Sequence, residues 1–155
     1  LTELGAPELH VVIELGERDP RLDRARLAEM YPNYARQGFS IALDDFGAGH
    51  ATLTRLVEVR PHFVKLDREL CHGVADDPMR RSLIRSFAGF AGESGILLVA
   101  EGIERDVDRE LLAHIGVPLG QGYLLGPPAP LDADEPRRHG LAERPTPSCS
   151  DSVTA

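Results

Sequence analysis

Short apolar runs that alternate with helical segments are the feature that most restricts the fold of this chain. The runs lie at about residues 9–15, 40–44, 62–66, 96–100 and 121–125. Helices are predicted between them at about 20–37, 51–57, 78–94 and 107–115. This alternation predicts an α/β fold with a parallel sheet. Five strands can form an open doubly wound sheet, or they can be the C-terminal five βα units of a TIM-like (β/α)8 barrel.

Charged residues stand at the carboxyl ends of four of these runs. Acids follow three runs, at Glu14, at Asp44 with Asp45, and at Glu101, and Lys65 lies near the end of a fourth. Parallel strands bring their carboxyl ends to one edge of the sheet, so these side chains are expected to converge there. Carboxylates cost several kcal/mol to bury unless a cation compensates them. The pattern therefore predicts a metal site.

The pair Asp44-Asp45 is the centre of the predicted site. One carboxylate that bridges two divalent ions would explain why two acids stand side by side, and two ions about 3.5–4 Å apart can clamp both oxygens of a phosphodiester displacement. Oxygen ligands favour Mg²⁺ or Mn²⁺ over zinc, since no His or Cys stands near the strand ends. The alternative is that the two acids form a solvated turn or a helix cap. The neighbouring acids and the loop formed by Phe46, Gly47 and Gly49 favour the metal site over this alternative.

The remaining polar candidates each have a functional and a structural interpretation. Lys65 either serves the phosphate and the attacking water or forms a buried salt bridge with Asp67 or Asp45. Glu17 and Glu104 are candidate supporting residues, although acids at these places also suit a helix N-terminus. Gln121 either faces a ligand or satisfies core backbone groups.

Charge and composition exclude some partners and suggest a domain boundary. The net charge of −8 argues against polymeric nucleic acid and against an anionic membrane surface. Half of the prolines lie between Pro127 and Pro147, so residues 131–155 are predicted to be a disordered tail after a domain at 1–130. Cys71 and Cys149 form no CxxC pair, and a reducing, cytoplasmic location is expected.

Five motifs, in this order and spacing, resemble the EAL-domain family of cyclic-di-GMP phosphodiesterases. They are IELGE (13–17), ALDDFGAGHATL (42–53), FVKLD (63–67), VAEGIE (99–104) and GQGYLLGPP (120–128). The resemblance covers about residues 3–130 and implies a TIM-like barrel. It also implies hydrolysis of cyclic-di-GMP to linear pGpG with two Mg²⁺ or Mn²⁺ ions.

The resemblance assigns a role to each matching residue. Glu14 would bind one ion and Asp44 would bridge both. Asp45 and Glu101 would serve the second ion or its water, and Lys65 would position that water. Glu17 would hold the loop from Phe46 onward, and Glu104 and Gln121 would complete the substrate side. A homodimer and upstream sensory or GGDEF-type domains are the partners expected of the parent protein.

The sequence also departs from the family pattern. The glutamate-alanine-leucine segment that gives the family its name, and an asparagine that follows it, are not in the chain, which begins at Leu1 just before a strand. We therefore expect a truncated barrel that lacks about three of eight strands. The parent protein could be anchored to a membrane through the region that precedes Leu1.

Two other functions remain open at the level of sequence. A non-catalytic EAL-like module could bind cyclic-di-GMP or a protein partner, but such a module has no need to keep Glu14, Asp44, Asp45, Lys65 and Glu101 together. An unrelated metal-dependent barrel that acts on a carboxylate would share the acids, but it would not explain the DDFG and QGY segments.

We predict that the 155-residue chain alone does not hydrolyse cyclic-di-GMP. A barrel that lacks strands exposes sheet edges and one face of its core, which favours aggregation or marginal folding. Product analysis by chromatography checks this, and turnover by the purified chain at a rate typical of enzymes would contradict it.

Overall fold

The structure is a computed structural model that describes residues 10–16, 30, 33, 34, 36–47 and 53–128. The predictions made for Glu17, for Gly49, for most of the helix at 20–37 and for the tail at 131–155 lie outside the described residues.

Within the described residues, strands and helices alternate as the sequence predicts. The strands are β1 (Val12–Leu15), β2 (Ser40–Phe46), β3 (Phe63–Leu66), β4 (Leu97–Ala100) and β5 (Leu119–Gly120). The helices are α1 (Leu53–Val59), α2 (Arg68–Cys71), α3 (Pro78–Ser94) and α4 (Asp106–His114). The described residues at 30, 33, 34 and 36 are also helical.

The five strands form one parallel sheet in the order β1-β2-β3-β4-β5. A doubly wound sheet would reverse its strand order at a switch point, whereas a barrel adds each new strand to the same side. The sequential order therefore favours an arc of a (β/α)8 barrel over the open sheet. The carboxyl ends of the five strands lie at one edge of the sheet. The charged residues were predicted to share this edge.

Alternation along the strands separates a core face from a polar face. Val64 and Leu66 of β3 and Leu98 and Ala100 of β4 are at most 1% exposed. They belong to the same buried cluster as Ile84 of α3 and Leu112 of α4. Lys65 lies between two core residues, so the period of two residues in a strand points it to the opposite face.

Helix α3 has the bounds that the sequence predicts. The Asp77 side chain caps its first turn by accepting hydrogen bonds from the backbone N–H groups of Met79 and Arg80, at 2.9 and 3.1 Å. Pro78 suits the first turn because it has no N–H to satisfy, and the helix ends before Gly95. Among the described residues, no helix is both long and apolar enough to cross a membrane.

Two predictions near the strand ends were wrong. The fifth strand was predicted at 121–125, but β5 is Leu119–Gly120 and residues 122–125 form a turn closed by a hydrogen bond from the Leu125 N–H to the Gly122 carbonyl. Phe46 was predicted in a loop, but it is the last residue of β2. Its ring stacks on Phe87 of α3 at a centroid distance of 4.6 Å, so the end of the strand packs against this helix.

Asp108, in the first turn of α4, holds the chain between α2 and α3 in place. Its side chain is 2% exposed, and its carboxylate accepts hydrogen bonds from the backbone N–H groups of Gly73 and Ala75, at 3.0 and 2.9 Å. Arg105 lies 3.7 Å from the same carboxylate and also pairs with Asp76. One acid therefore satisfies two backbone donors of a turn that has little regular structure.

We predict that Asp108→Ala lowers the free energy of unfolding by about 2–3 kcal/mol, because two partly buried N–H groups lose their acceptor. Asp106→Ala is the matched control, since Asp106 is exposed on the same helix and its change should cost less than about 0.5 kcal/mol. Urea unfolding followed by circular dichroism measures both. Equal losses in the two variants would contradict the role of Asp108.

Candidate metal centre

Lys65 is the central residue of the site. Its side chain is 10% exposed, and its Nζ atom lies 2.8 Å from Glu101, 2.9 Å from Asp44 and 3.3 Å from Glu14. Strands β1, β2 and β3 and the end of β4 each supply one of these four residues. The structure therefore brings together the residues that the sequence predicts to converge. The salt bridge to Asp67 or Asp45, considered as the alternative, is replaced by these three contacts.

The surroundings of Lys65 favour its charged form. Burial alone would lower the pKa of this ammonium group, but the contacts with Glu101 and Asp44 outweigh burial and raise the pKa above its ordinary value. Lys65 is therefore a fixed positive charge at neutral pH.

Asp44 and Asp45 both reach the site although they are neighbours in one strand. Successive side chains of a regular strand point to opposite faces. Here the pairing of β2 with β3 shifts register between Leu43 and Phe46, and Asp45 has a positive φ of 56°. This irregularity places ligand atoms of Asp44, Asp45 and Glu101 within 4.8 Å of one another. A non-glycine residue in this conformation stores strain of about 1–3 kcal/mol, which suits a functional position.

Glu101 is the most enclosed of the acids. Its side chain is 15% exposed, and its Oε1 atom accepts a hydrogen bond of 2.6 Å from the Gln121 amide. Burial raises the pKa of Glu101 above its ordinary value, and the nearby Lys65 opposes that rise without cancelling it. In the absence of another cation, ionised Glu101 therefore weakens the folded state.

The donor set fits a divalent cation. Asp44 Oδ1 is buried, and its close partner among the described residues is the Lys65 ammonium at 2.9 Å, which also contacts Glu101 and Glu14. Several carboxylates that share one ammonium are incompletely compensated, and a divalent cation would offset their remaining repulsion. Asp44, Asp45 and Glu101 could hold such an ion, and their oxygens are the ligands that Mg²⁺ and Mn²⁺ prefer. Glu14 lies at the more open rim, with its side chain 53% exposed.

The other predicted residues lie around this cluster. Gln121 contacts Glu101, as stated, and Glu104 forms an ion pair of 2.9 Å with Arg68. Gly47 follows β2 and packs against Leu70, while Glu17 and Gly49 lie outside the described residues. The sequence did not single out Arg68, because residues 68–76 had no clear periodicity. Its position three residues after Lys65, at the same strand end, was the available signal.

Comparison with known proteins places the chain in a family. Residues 1–128 match the model of the EAL domain. The chain is 35% identical over 130 residues to RocR, a cyclic di-GMP phosphodiesterase of Pseudomonas aeruginosa, and the match covers 84% of this chain and 33% of RocR. The chain belongs to the EAL domain family.

Solved structures agree with this assignment. The EAL domain of Mycobacterium smegmatis DcpA superposes with a TM-score of 0.73 at 29% identity, covering 82% of this chain and 57% of that one. Klebsiella pneumoniae BlrP1, in a complex with manganese and cyclic-di-GMP, superposes with a TM-score of 0.68 at 29% identity, covering 74% of this chain and 29% of that one. The predicted fold, part of a TIM-like barrel, is confirmed, and the chain spans about a third of the length of RocR.

We predict that Glu101→Gln raises the melting temperature at pH 8 in metal-free buffer. The raised pKa means that ionised Glu101 opposes folding, and the amide removes this charge. The gain should appear as the pH rises through the ordinary glutamate range and reach its full size above the raised pKa of Glu101. It should vanish at acid pH, where Glu101 is protonated.

Thermal unfolding between pH 3 and pH 8 measures this difference. Glu110→Gln, at an exposed position of α4, is the control and should show no such pH-dependent gain. A Glu101→Gln variant that is less stable at every pH would show that the charge is fully compensated.

Proposed function

We propose that this chain carries the acidic part of a domain that hydrolyses one phosphodiester bond of cyclic-di-GMP, giving linear pGpG. The carrying observation is the convergence of Asp44, Asp45 and Glu101 within 4.8 Å, with Lys65 in contact with two of them. RocR is named as a cyclic di-GMP phosphodiesterase, and BlrP1 was solved with manganese and cyclic-di-GMP. Both support the proposal.

The cations of this proposal are two divalent ions, Mg²⁺ or Mn²⁺. Glu14, Asp44, Asp45 and Glu101 would hold them, with Asp44 between the two. Bound ions would polarise the phosphodiester and make a water molecule more acidic. The chain's net charge of −8 does not exclude an anionic phosphodiester as the ligand, because bound divalent ions would invert the sign of the charge at the site.

Lys65 would act on the phosphate and on the attacking water as a fixed charge. Its raised pKa makes it a poor general base, since it keeps its proton at neutral pH. Its ammonium can donate to the water or to a phosphate oxygen while the carboxylates hold it in place. Asp45 and Glu101 are then the groups suited to accept a proton from the water.

A cleft beside Glu101 would receive the nucleotide. It has a volume of about 480 Å³, and its lining includes Glu104, Gln121 and Tyr123. Tyr123 is 68% exposed, so its ring is free to contact a base, and Gln121 joins this cleft to Glu101. Glu104 and Gln121 are therefore assigned to the substrate side, while Glu17 would hold the loop that follows Phe46.

The remaining parts of the proposal concern the whole protein. A domain boundary near residue 130, a homodimer, upstream sensory or GGDEF-type domains and a cytoplasmic location come from the resemblance and the composition. The activity belongs to the parent protein with a complete barrel, and any region before Leu1 that carries the glutamate-alanine-leucine segment would supply further ligands.

We predict that Asp44→Ala in the full-length parent lowers the rate of pGpG formation at least about 100-fold, because several kcal/mol of transition-state stabilisation are lost with the bridging ligand. Glu110→Ala, on the exposed side of α4, should keep the rate. Chromatographic product analysis with Mg²⁺ or Mn²⁺ measures both rates.

Two results would contradict the proposed phosphodiesterase mechanism. Full turnover by Asp44→Ala would remove Asp44 from the mechanism. Tight binding of cyclic-di-GMP by the unmodified parent without any pGpG would instead support the non-catalytic binding module.

A further inference from the structure

We infer that Arg68 is a positioning residue that fixes Glu101 in the site by clamping the chain between β4 and α4. The inference rests on the proposed function only in that Glu101 is taken as a cation ligand. Arg68 is the first residue of α2 and follows β3, the strand that carries Lys65. It therefore connects the strand end of Lys65 with that of Glu101.

The aliphatic stem of Arg68 lies directly on the backbone of Gly102. Gly102 has a φ of 63°, and a Cβ atom at this position would stand 2.3 Å from Arg68 Cγ. Only glycine allows both this conformation and this approach. The residue that directly follows Glu101 is thus pressed against Arg68.

The guanidinium of Arg68 holds the same segment a second time. Its Nη2 atom lies 2.9 Å from Glu104 Oε1, three residues after Glu101. The stem and the head of one side chain therefore contact two points of the segment 101–105. Exposed ion pairs contribute about 0–1 kcal/mol to stability, and the Arg68 side chain is 58% exposed. The contact should matter more for the local geometry than for the overall stability.

The chain after β5 also holds the segment. The Ile103 N–H donates to the Gln121 carbonyl at 3.1 Å, and the Ile103 carbonyl accepts from the Leu124 N–H at 3.1 Å. The Gln121 side chain also donates to Glu101. The segment is therefore held by Arg68 and by residues 121–124, and the contacts from Arg68 are made by its side chain.

Loss of Arg68 should release the segment on one side and let the Glu101 carboxylate move. Groups that orient a cation ligand typically change the affinity for the cation by 10–100-fold when they are removed. We expect Arg68→Ala to bind Mn²⁺ about tenfold more weakly. We also expect faster hydrogen exchange of the Ile103 amide, with a melting temperature within about 4 °C of the unmodified chain.

The experiment uses the full-length parent protein with Arg68→Ala, Arg68→Met and the control Arg85→Ala, whose side chain is exposed on α3. Mn²⁺ binding is followed by electron paramagnetic resonance, and amide exchange by NMR in metal-free buffer. Arg68→Met keeps a stem over Gly102 and should fall between the unmodified chain and Arg68→Ala. It also tests the inference if the alanine variant does not fold.

A double-mutant cycle tests the path of the effect. Glu104→Gln should give part of the same loss, and the double variant with Arg68→Ala should bind Mn²⁺ no more weakly than Arg68→Ala alone. Unchanged Ile103 exchange in both Arg68 variants overturns the inference, and so does an equal loss in Arg85→Ala. Exchange is measured without metal, so a parent protein that binds no Mn²⁺ counts against the proposed function, and the exchange of the Ile103 amide alone then decides the role of Arg68.

Discussion

The site depends on one ammonium group held among three carboxylates. Lys65 lies within 3.3 Å of oxygens from β1, β2 and the end of β4, so its charge offsets the repulsion that would otherwise push these strand ends apart. Attraction between opposite charges at such distances is worth several kcal/mol where water is partly excluded. The parallel sheet brings the three carboxylates together, and the positive charge of Lys65 offsets the repulsion between them. The cluster can therefore assemble before any cation arrives.

One positive charge does not balance the acids completely. Glu101 keeps a raised pKa in spite of Lys65, whose single charge lies close to three carboxylates. A site that is folded yet under-compensated binds cations because binding removes the remaining cost. The same imbalance explains why a neutral residue at position 101 should favour folding while it harms the proposed chemistry, as expected of a functional site.

Much of this arrangement could be predicted from sequence because strands end where apolar runs end. The charged residues at 14, 44, 65 and 101 each follow this rule, and the parallel topology brings them to one edge of the sheet. The irregular features could not be predicted in this way. The register shift that admits Asp45 depends on pairing with β3, and the turn at 122–125 depends on contacts with Ile103. Arg68 was missed because its importance comes from a backbone approach at Gly102 that no periodicity reveals.

The stacked rings of Phe46 and Phe87 have a consequence for the whole βα arc. Phe46 is bonded directly to Asp45, and Phe87 stacks in turn on Phe90 with a centroid distance of 5.9 Å. Three aromatic side chains thus form a continuous bridge from the acidic edge to the partly exposed outer side of α3. The end of β2 that carries the strained aspartate is therefore packed against α3. A substitution on the outer side of α3 is therefore expected to affect the position of the Asp45 carboxylate without contacting it.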